Sequence, residues 1–195
     1  MGVLIQTIAT PGRPGAPAPS GFDDPFAMLD ACHERVQRML ALLQRLQTHL
    51  TNAGCDVQAQ DAARDILRYF DQAAPHHHLD EERHLVPVLR TLGGADDRLA
   101  DTMLAQHAEM ALQWTALRTV LLALTDVLPD GAASPVALGS EQVQTFVGLY
   151  REHMVLEDDL IYPHCRGAMD AAALAVAGDE MASRRGVPTS PRTTL

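Results

Sequence analysis

The chain has almost nothing from which to build a disulfide framework or a thiolate metal site. Its three cysteines, Cys32, Cys55 and Cys165, are scattered, odd in number and without a CxxC pair. Neither a stapled secreted fold nor a zinc knuckle is expected, and a reducing compartment suits them. Basic charge is also scarce. Against 25 Asp and Glu stand 15 Lys and Arg, for a formal net charge of -10 and a pI near 5.2. Nucleic acid and anionic membrane surfaces both attract basic patches, so neither is expected as a partner. No apolar run in the sequence approaches the roughly 18 residues a membrane-spanning helix needs. The start, Met1-Gly2-Val3-Leu4-Ile5, has no basic region before its short apolar run and leads into Pro/Gly-rich sequence. It does not read as a signal peptide, and a cytoplasmic location is expected.

What is present is a hydrophobic fraction of 47% over 195 residues, enough for one domain with a core of its own. Residues 1–23 carry Pro11, Gly12, Pro14, Gly15, Pro17, Pro19 and Gly21, a composition that reads as a flexible arm. At Asp24-Pro25 a helix is expected to start, with Asp24 as its cap and Pro25 at the first helical position. It runs to about Leu50 with an apolar stripe of Phe26, Leu29, His33, Val36, Leu40, Leu43, Leu46 and Leu50. A second helix is expected from about Gln58 to Leu92, with Ile66, Phe70, Ala73, His77, Glu81, His84 and Val88 inward and Pro75 kinking or widening a turn before His77. The third runs from about Asp96 to Leu128, its stripe Leu99, Met103, His107, Met110, Trp114, Leu117, Leu121 and Leu124. Ser140 caps a fourth, with Val143, Phe146, Tyr150, His153, Glu157, Leu160 and His164 inward. Four long amphipathic helices predict an all-α, antiparallel up-down four-helix bundle over 24–167. A short fifth helix over 168–186 and a frayed tail over 187–195 complete the expected organisation.

The inward faces carry a repeat. His77-His78-Leu79-Asp80-Glu81-Glu82-Arg83-His84-Leu85-Val86-Pro87 is echoed by His153-Met154-Val155-Leu156-Glu157-Asp158-Asp159-Leu160-Ile161-Tyr162-Pro163. Each copy places a histidine four residues before a glutamate, on one helix face, and ends on proline. A lone histidine precedes each copy, His33 by 44 residues and His107 by 46. The chain is thus a helix pair used twice. A single histidine in an apolar stripe is ordinarily a hydrogen-bonded core residue. Six inward polar groups, His33, His77, Glu81, His107, His153 and Glu157, are another matter. Each, buried without a partner, costs on the order of 1–3 kcal/mol, and together they rival the roughly 5–15 kcal/mol that holds a domain folded. Metal ions compensate such a set. Four imidazoles and two carboxylates without thiolate suit iron or manganese, and zinc less specifically. Carboxylates from opposite helices can each bridge two metals. A ferritin-like site needs ExxH twice, and only Glu81-xx-His84 supplies it.

Other residues keep two readings. Glu82 and Asp158 read first as solvated, with orientation of ligand histidines as the alternative. His76 and His78 read as surface residues, His78-xxx-Glu82 being the other register. His84 and His164 are outer-sphere or extra ligands if not plain stripe residues. Tyr150 packs the core or hydrogen-bonds a ligand, and Cys32 is inert.

The order H, HxxxEE-xx-LxP, H, HxxxE on four helices resembles the hemerythrin-like, or HHE cation-binding, family, from Asp24 to about Arg166. The resemblance implies a non-haem di-iron centre with His33, His77, His107 and His153 as terminal ligands and Glu81 and Glu157 bridging. Oxygen-carrying hemerythrins add a histidine through HxxxH on the third helix, where this chain has Met103 and Ala111 around His107. They also use an aspartate five residues after the last histidine, where this chain has Glu157 after four. It is more similar to the iron-cluster-repair and iron-sensing branches. The expected function is binding of, or reaction with, O2, NO or peroxide, by a monomer or homodimer with two irons and without well-defined enzymatic turnover. The alternative is an interaction module that a metal only stabilises.

Overall fold

The computed structural model describes residues 24–126 and 137–187. Residues 1–23, 127–136 and 188–195 lie outside the described residues, and with them the expected arm, the expected end of the third helix near Leu128 and most of the expected tail. Helix α1 (Pro25–Ala53) starts where expected, with the Asp24 side chain accepting from the Ala27 N–H at 3.1 Å and Pro25 inside the first turn. It runs a turn beyond Leu50 and stops at Gly54, whose φ of 80° favours glycine. Helix α2 (57–92) is composite: Val57–Arg68, a π turn over Tyr69–Ala73, then Ala74–His84 and Val86–Leu92. Helix α3 is Ala95–Thr125. Helix α4 (140–168) is Ser140–Leu156, a second π turn over Glu157–Ile161, then Tyr162–Ala168. Ser140 is its first helical residue rather than its cap, which is Gly139. Helix α5, Ala171–Arg184, is capped by Asp170 accepting from the Ala173 N–H at 2.8 Å. All secondary structure among the described residues is helical, and no described helix is long and apolar enough to cross a membrane.

The π turns have a cause in the sequence. Pro75 and Pro163 lack an N–H and their rings collide with the carbonyl four residues back, so the turn before each opens to a five-residue step. Ala74 N–H accordingly reaches Tyr69 O, and Tyr162 N–H reaches Glu157 O. Each extra residue rotates the remainder of its helix. After Glu157 the inward residues are Ile161 and Cys165, both fully buried, not the expected Leu160 and His164. Leu160 is 42% exposed. Likewise Ala74, Leu85 and Leu89 line the inside of α2 in place of Ala73, His84 and Val88.

Helices α1 and α3 each pack on both α2 and α4, closing the four into a ring, and α5 lies against α1 and the Ala74–His84 segment of α2. The core inside the ring is split. One apolar cluster contains Val36, Leu43, Ile66, Phe70, Met110, Leu117 and Phe146; the other contains Leu29, Leu85, Leu89, Met103, Ile161 and Met181. Between them, on all four helices, sits a buried layer of His33, His77, Glu81, His107, His153 and Glu157.

Helix α5 is fastened beside this layer by charge. The buried Asp80 carboxylate pairs with Arg184 Nη1 at 2.9 Å and accepts from Arg185 Nη1 at 3.1 Å and Nη2 at 2.5 Å. Glu180 accepts from Arg83 at 2.6 Å and pairs with His84 Nε2 at 2.8 Å. Removing one partner of a buried pair leaves uncompensated charge. Asp80→Ala is expected to cost about 3 kcal/mol and to lower the urea midpoint; an unchanged midpoint would mean that these ion pairs do not hold α5.

Candidate metal centre

The structure brings all six residues singled out from the sequence into one cluster. Their donor atoms form two quartets, each lying within a 4.8 Å span: His33, His77, Glu81 and Glu157 in one, Glu81, His107, His153 and Glu157 in the other. Both carboxylates belong to both quartets, while the histidines divide by half of the chain. His33 Nε2 is 3.0 Å from Glu157 Oε2, and His153 Nε2 is 2.9 Å from Glu157 Oε1. Glu81 Oε1 is 3.4 Å from His77 Nε2, and its Oε2 is 3.4 Å from His107 Nε2. Two donors about 2.1 Å from one ion and at right angles stand about 3 Å apart. The spacings suit donors that share a cation.

Hydrogen bonds on the far side of the rings fix which nitrogen faces inward. His33 Nδ1 donates to Asp158 Oδ1 at 3.0 Å, His107 Nδ1 to Glu82 Oε1 at 2.8 Å, and His153 Nδ1 to Gln106 Oε1 at 2.9 Å. With Nδ1 engaged in this way, each ring, when neutral, turns its Nε2 lone pair toward the cluster. Glu82 and Asp158 are therefore orienting groups and not merely solvated. They also cross over: each follows the shared glutamate of one half of the chain and holds the lone histidine of the other.

The buried atoms satisfy one another only in part. His107 Nε2 and His153 Nε2 approach to 3.1 Å, an arrangement that sets two lone pairs against each other in neutral rings. Among the described residues, Glu81 Oε2, Glu157 Oε1 and His77 Nδ1 are buried with no hydrogen-bond partner. An orphaned buried carboxylate oxygen is costly, and a cation placed between the quartets removes that cost. The donor set fits a metal. Protons take part of the same role in the side chains' own electrostatics. Burial pushes the His33 imidazole down, but its bond to Glu157 and the carboxylate charges around it prevail and lift it to about 9. Glu81 is raised by burial and by the adjoining Glu157 charge. Against the effect of burial, His153 and His33 hold Glu157 well below the usual carboxylate range. His77 is depressed, by burial first and by the His33 charge second.

Three residues reach the cluster without having been singled out for it. Tyr162 Oη donates to Glu81 Oε1 at 2.5 Å and lies 3.0 Å from His33 Nε2; burial and the two carboxylate charges raise its phenol well above the usual range. Gln106, beside His107, orients His153. His78, expected at the surface, stacks on the His107 ring at 4.1 Å between centroids. Its Nε2 is buried without a hydrogen-bond partner among the described residues, and it groups with His107 and His153. The π turn before Pro75 and the tight His77-Glu81 register leave His78 on the flank of the cluster, not in solvent. His84 and His164 stay outside. His84 pairs with Glu180, and His164 with Asp96. Tyr150 packs against Phe70 and Phe146 in the apolar core, and the buried Cys32 thiol contacts Met28 Sδ at 3.6 Å.

A cleft of about 410 Å³ leads from the surface to His33 and Tyr162, with Asp30, Glu34, Asp158 and Arg166 along it. Its acidic walls suit the approach of a cation.

Comparison with known proteins agrees with this arrangement. A protein of Haemophilus influenzae described as uncharacterized is 29% identical over 166 residues, which cover 85% of this chain and 92% of that protein. The hemerythrin HHE cation binding domain model matches residues 24–165, a span that holds all six clustered side chains and both HxxxE copies. The chain belongs to the hemerythrin HHE cation-binding domain family.

Proposed function

We propose that the cluster holds two iron ions and that the protein binds or reacts with a small diatomic molecule or peroxide, as a sensor, a detoxifying or storage protein, or an iron handler. The observation that carries this reading is the sharing of Glu81 and Glu157 between both quartets. One ion uses at most one quartet and leaves the other pair of imidazoles facing bare. Two ions use all six donors. Imidazole and carboxylate without thiolate favour iron or manganese over structural zinc. Bound iron would supply the redox chemistry toward O2, NO or peroxide.

The chain's own residues do the rest. His33, His77, His107 and His153 would be terminal donors, and Glu81 and Glu157 would bridge. Asp158, Glu82 and Gln106 hold three imidazoles in the inward-facing tautomer. The apolar clusters above and below exclude water, so that access runs sideways through the cleft at His33. Six protein donors leave part of a two-ion coordination shell for an exogenous ligand. The acidic surface charge and the buried, enclosed cluster suit a small uncharged molecule better than a polymer.

Glu81→Ala and Glu157→Ala are each expected to lose stoichiometric metal, while Glu82→Ala and Asp158→Ala weaken binding by roughly 10- to 100-fold; metal titration with elemental analysis separates them, and full retention in both glutamate variants would remove them from the site. Addition of NO to the reduced, iron-loaded protein, and of peroxide to a second sample, is expected to change its optical and electron-spin spectra stoichiometrically with iron. Spectra indifferent to NO, O2 and peroxide would sink the small-molecule reading and favour a metal with a purely structural task.

A further inference from the structure

We propose that Tyr162 is a seventh protein donor, coordinating through its phenol oxygen the ion on the His33–His77 side of the centre. The inference rests on the two-iron reading above and adds a ligand to it. Tyr162 Oη lies 2.5 Å from Glu81 Oε1 and 3.0 Å from His33 Nε2. Both residues belong to the same quartet, and the spacing of these atoms from the phenol oxygen is near the roughly 3 Å between neighbouring donors on one ion. Without an ion the phenol gives its one proton to Glu81 Oε1, and His33 Nε2 bonds to Glu157 Oε2. Once the phenol and His33 Nε2 give up their protons, the phenol oxygen, Glu81 Oε1 and His33 Nε2 converge as donors to one cation.

The backbone explains how the residue reaches this place. In a regular helix, at about 100° per residue, Tyr162 would stand about 140° round from Glu157 and point away from the cluster. The π turn over Glu157–Ile161 brings residues five apart nearly into line. Packing then holds the ring: it stacks on the His33 imidazole at 5.3 Å and meets Phe26 edge-on at 5.9 Å between centroids. Only 3% of the residue is exposed. The corresponding position before Pro87 is Val86, which has no donor, so the phenol distinguishes one half of the duplicated centre from the other. The other two tyrosines are placed elsewhere, Tyr69 with its hydroxyl 3.5 Å from Cys32 O and Tyr150 among the aromatic rings of the core. Coordination breaks the phenol O–H bond and forms an oxygen–iron bond. The proton leaves to solvent and no electron is transferred.

The test uses the full chain, iron-loaded and oxidised, with iron per chain measured on the same sample. A phenolate bound to ferric iron gives a visible charge-transfer band and, on excitation in that band, tyrosine ring modes in the resonance Raman spectrum. The wild type is expected to show both, Tyr162→Phe to retain iron and lose at least nine-tenths of the band, and Tyr150→Phe and Tyr69→Phe to keep it. Should Tyr162→Phe fold poorly, ring-deuterated tyrosine in the wild type and in the other two variants identifies the ligand by the shift of its Raman modes. Two irons per chain without a phenolate band, or with a band that survives Tyr162→Phe, would overturn the assignment and leave the two-iron reading standing. Absence of iron from the loaded wild type would remove both.

Discussion

Two fully buried carboxylates in the middle of an apolar bundle are the constraint to which the rest of this structure answers. Glu81 and Glu157 have no exposed surface, and each keeps one oxygen without a hydrogen-bond partner among the described residues. Burying charge on that scale is tolerated only when something of opposite sign lies at the same place. The four histidines turn Nε2 toward these oxygens, hydrogen bonds behind three of the rings hold them there, and the two apolar clusters close the layer from above and below. Stability and function are here the same arrangement. A cation that satisfies the carboxylates also holds the four helices at their common level.

The duplication behind this centre is closely kept in its inner atoms and broken at its margins. Each half supplies a lone histidine and an HxxxE pair, and each lends the acid after its glutamate to the histidine of the other half. Crossed contacts of this kind tie the halves together more firmly than two self-contained sites would. The departures are chemical. Gln106 supports His153, whereas Cys32 stands at the corresponding place before His33 and bonds to Met28 instead, leaving His77 Nδ1 without a partner among the described residues. Tyr162 answers to Val86, and His78 to Met154. Two ions held in such surroundings would meet different environments despite sharing both carboxylates.

Much of this was legible in the sequence because a helix repeats every 3.6 residues and a buried face must be apolar unless something compensates it. Histidine and glutamate standing in otherwise apolar stripes marked the layer, which takes in His77 and Glu81 and leaves His78 on its flank. Proline marked the breaks but not their size. A π turn shifts the residues after it by one position, which exchanged Leu160 and His164 for Ile161 and Cys165 and turned Tyr162 inward. That rotation depends on how the chain absorbs a missing hydrogen bond, and the apolar pattern around it admits either outcome. Glu82 and Asp158 keep two readings in the sequence, and Gln106 has none, for a different reason. Their partners lie on other helices, so their roles come from packing between elements and leave no periodic signal along the chain.

If six side chains from four helices form one centre, they take up two ions together. Elemental analysis of the full chain purified from iron-replete cells, with iron, manganese and zinc counted together against protein, tests this most directly. The predicted result is about two metal ions per chain, mostly iron. A chain that folds fully and carries no metal would contradict it, since the buried glutamates and histidines would then have to satisfy one another.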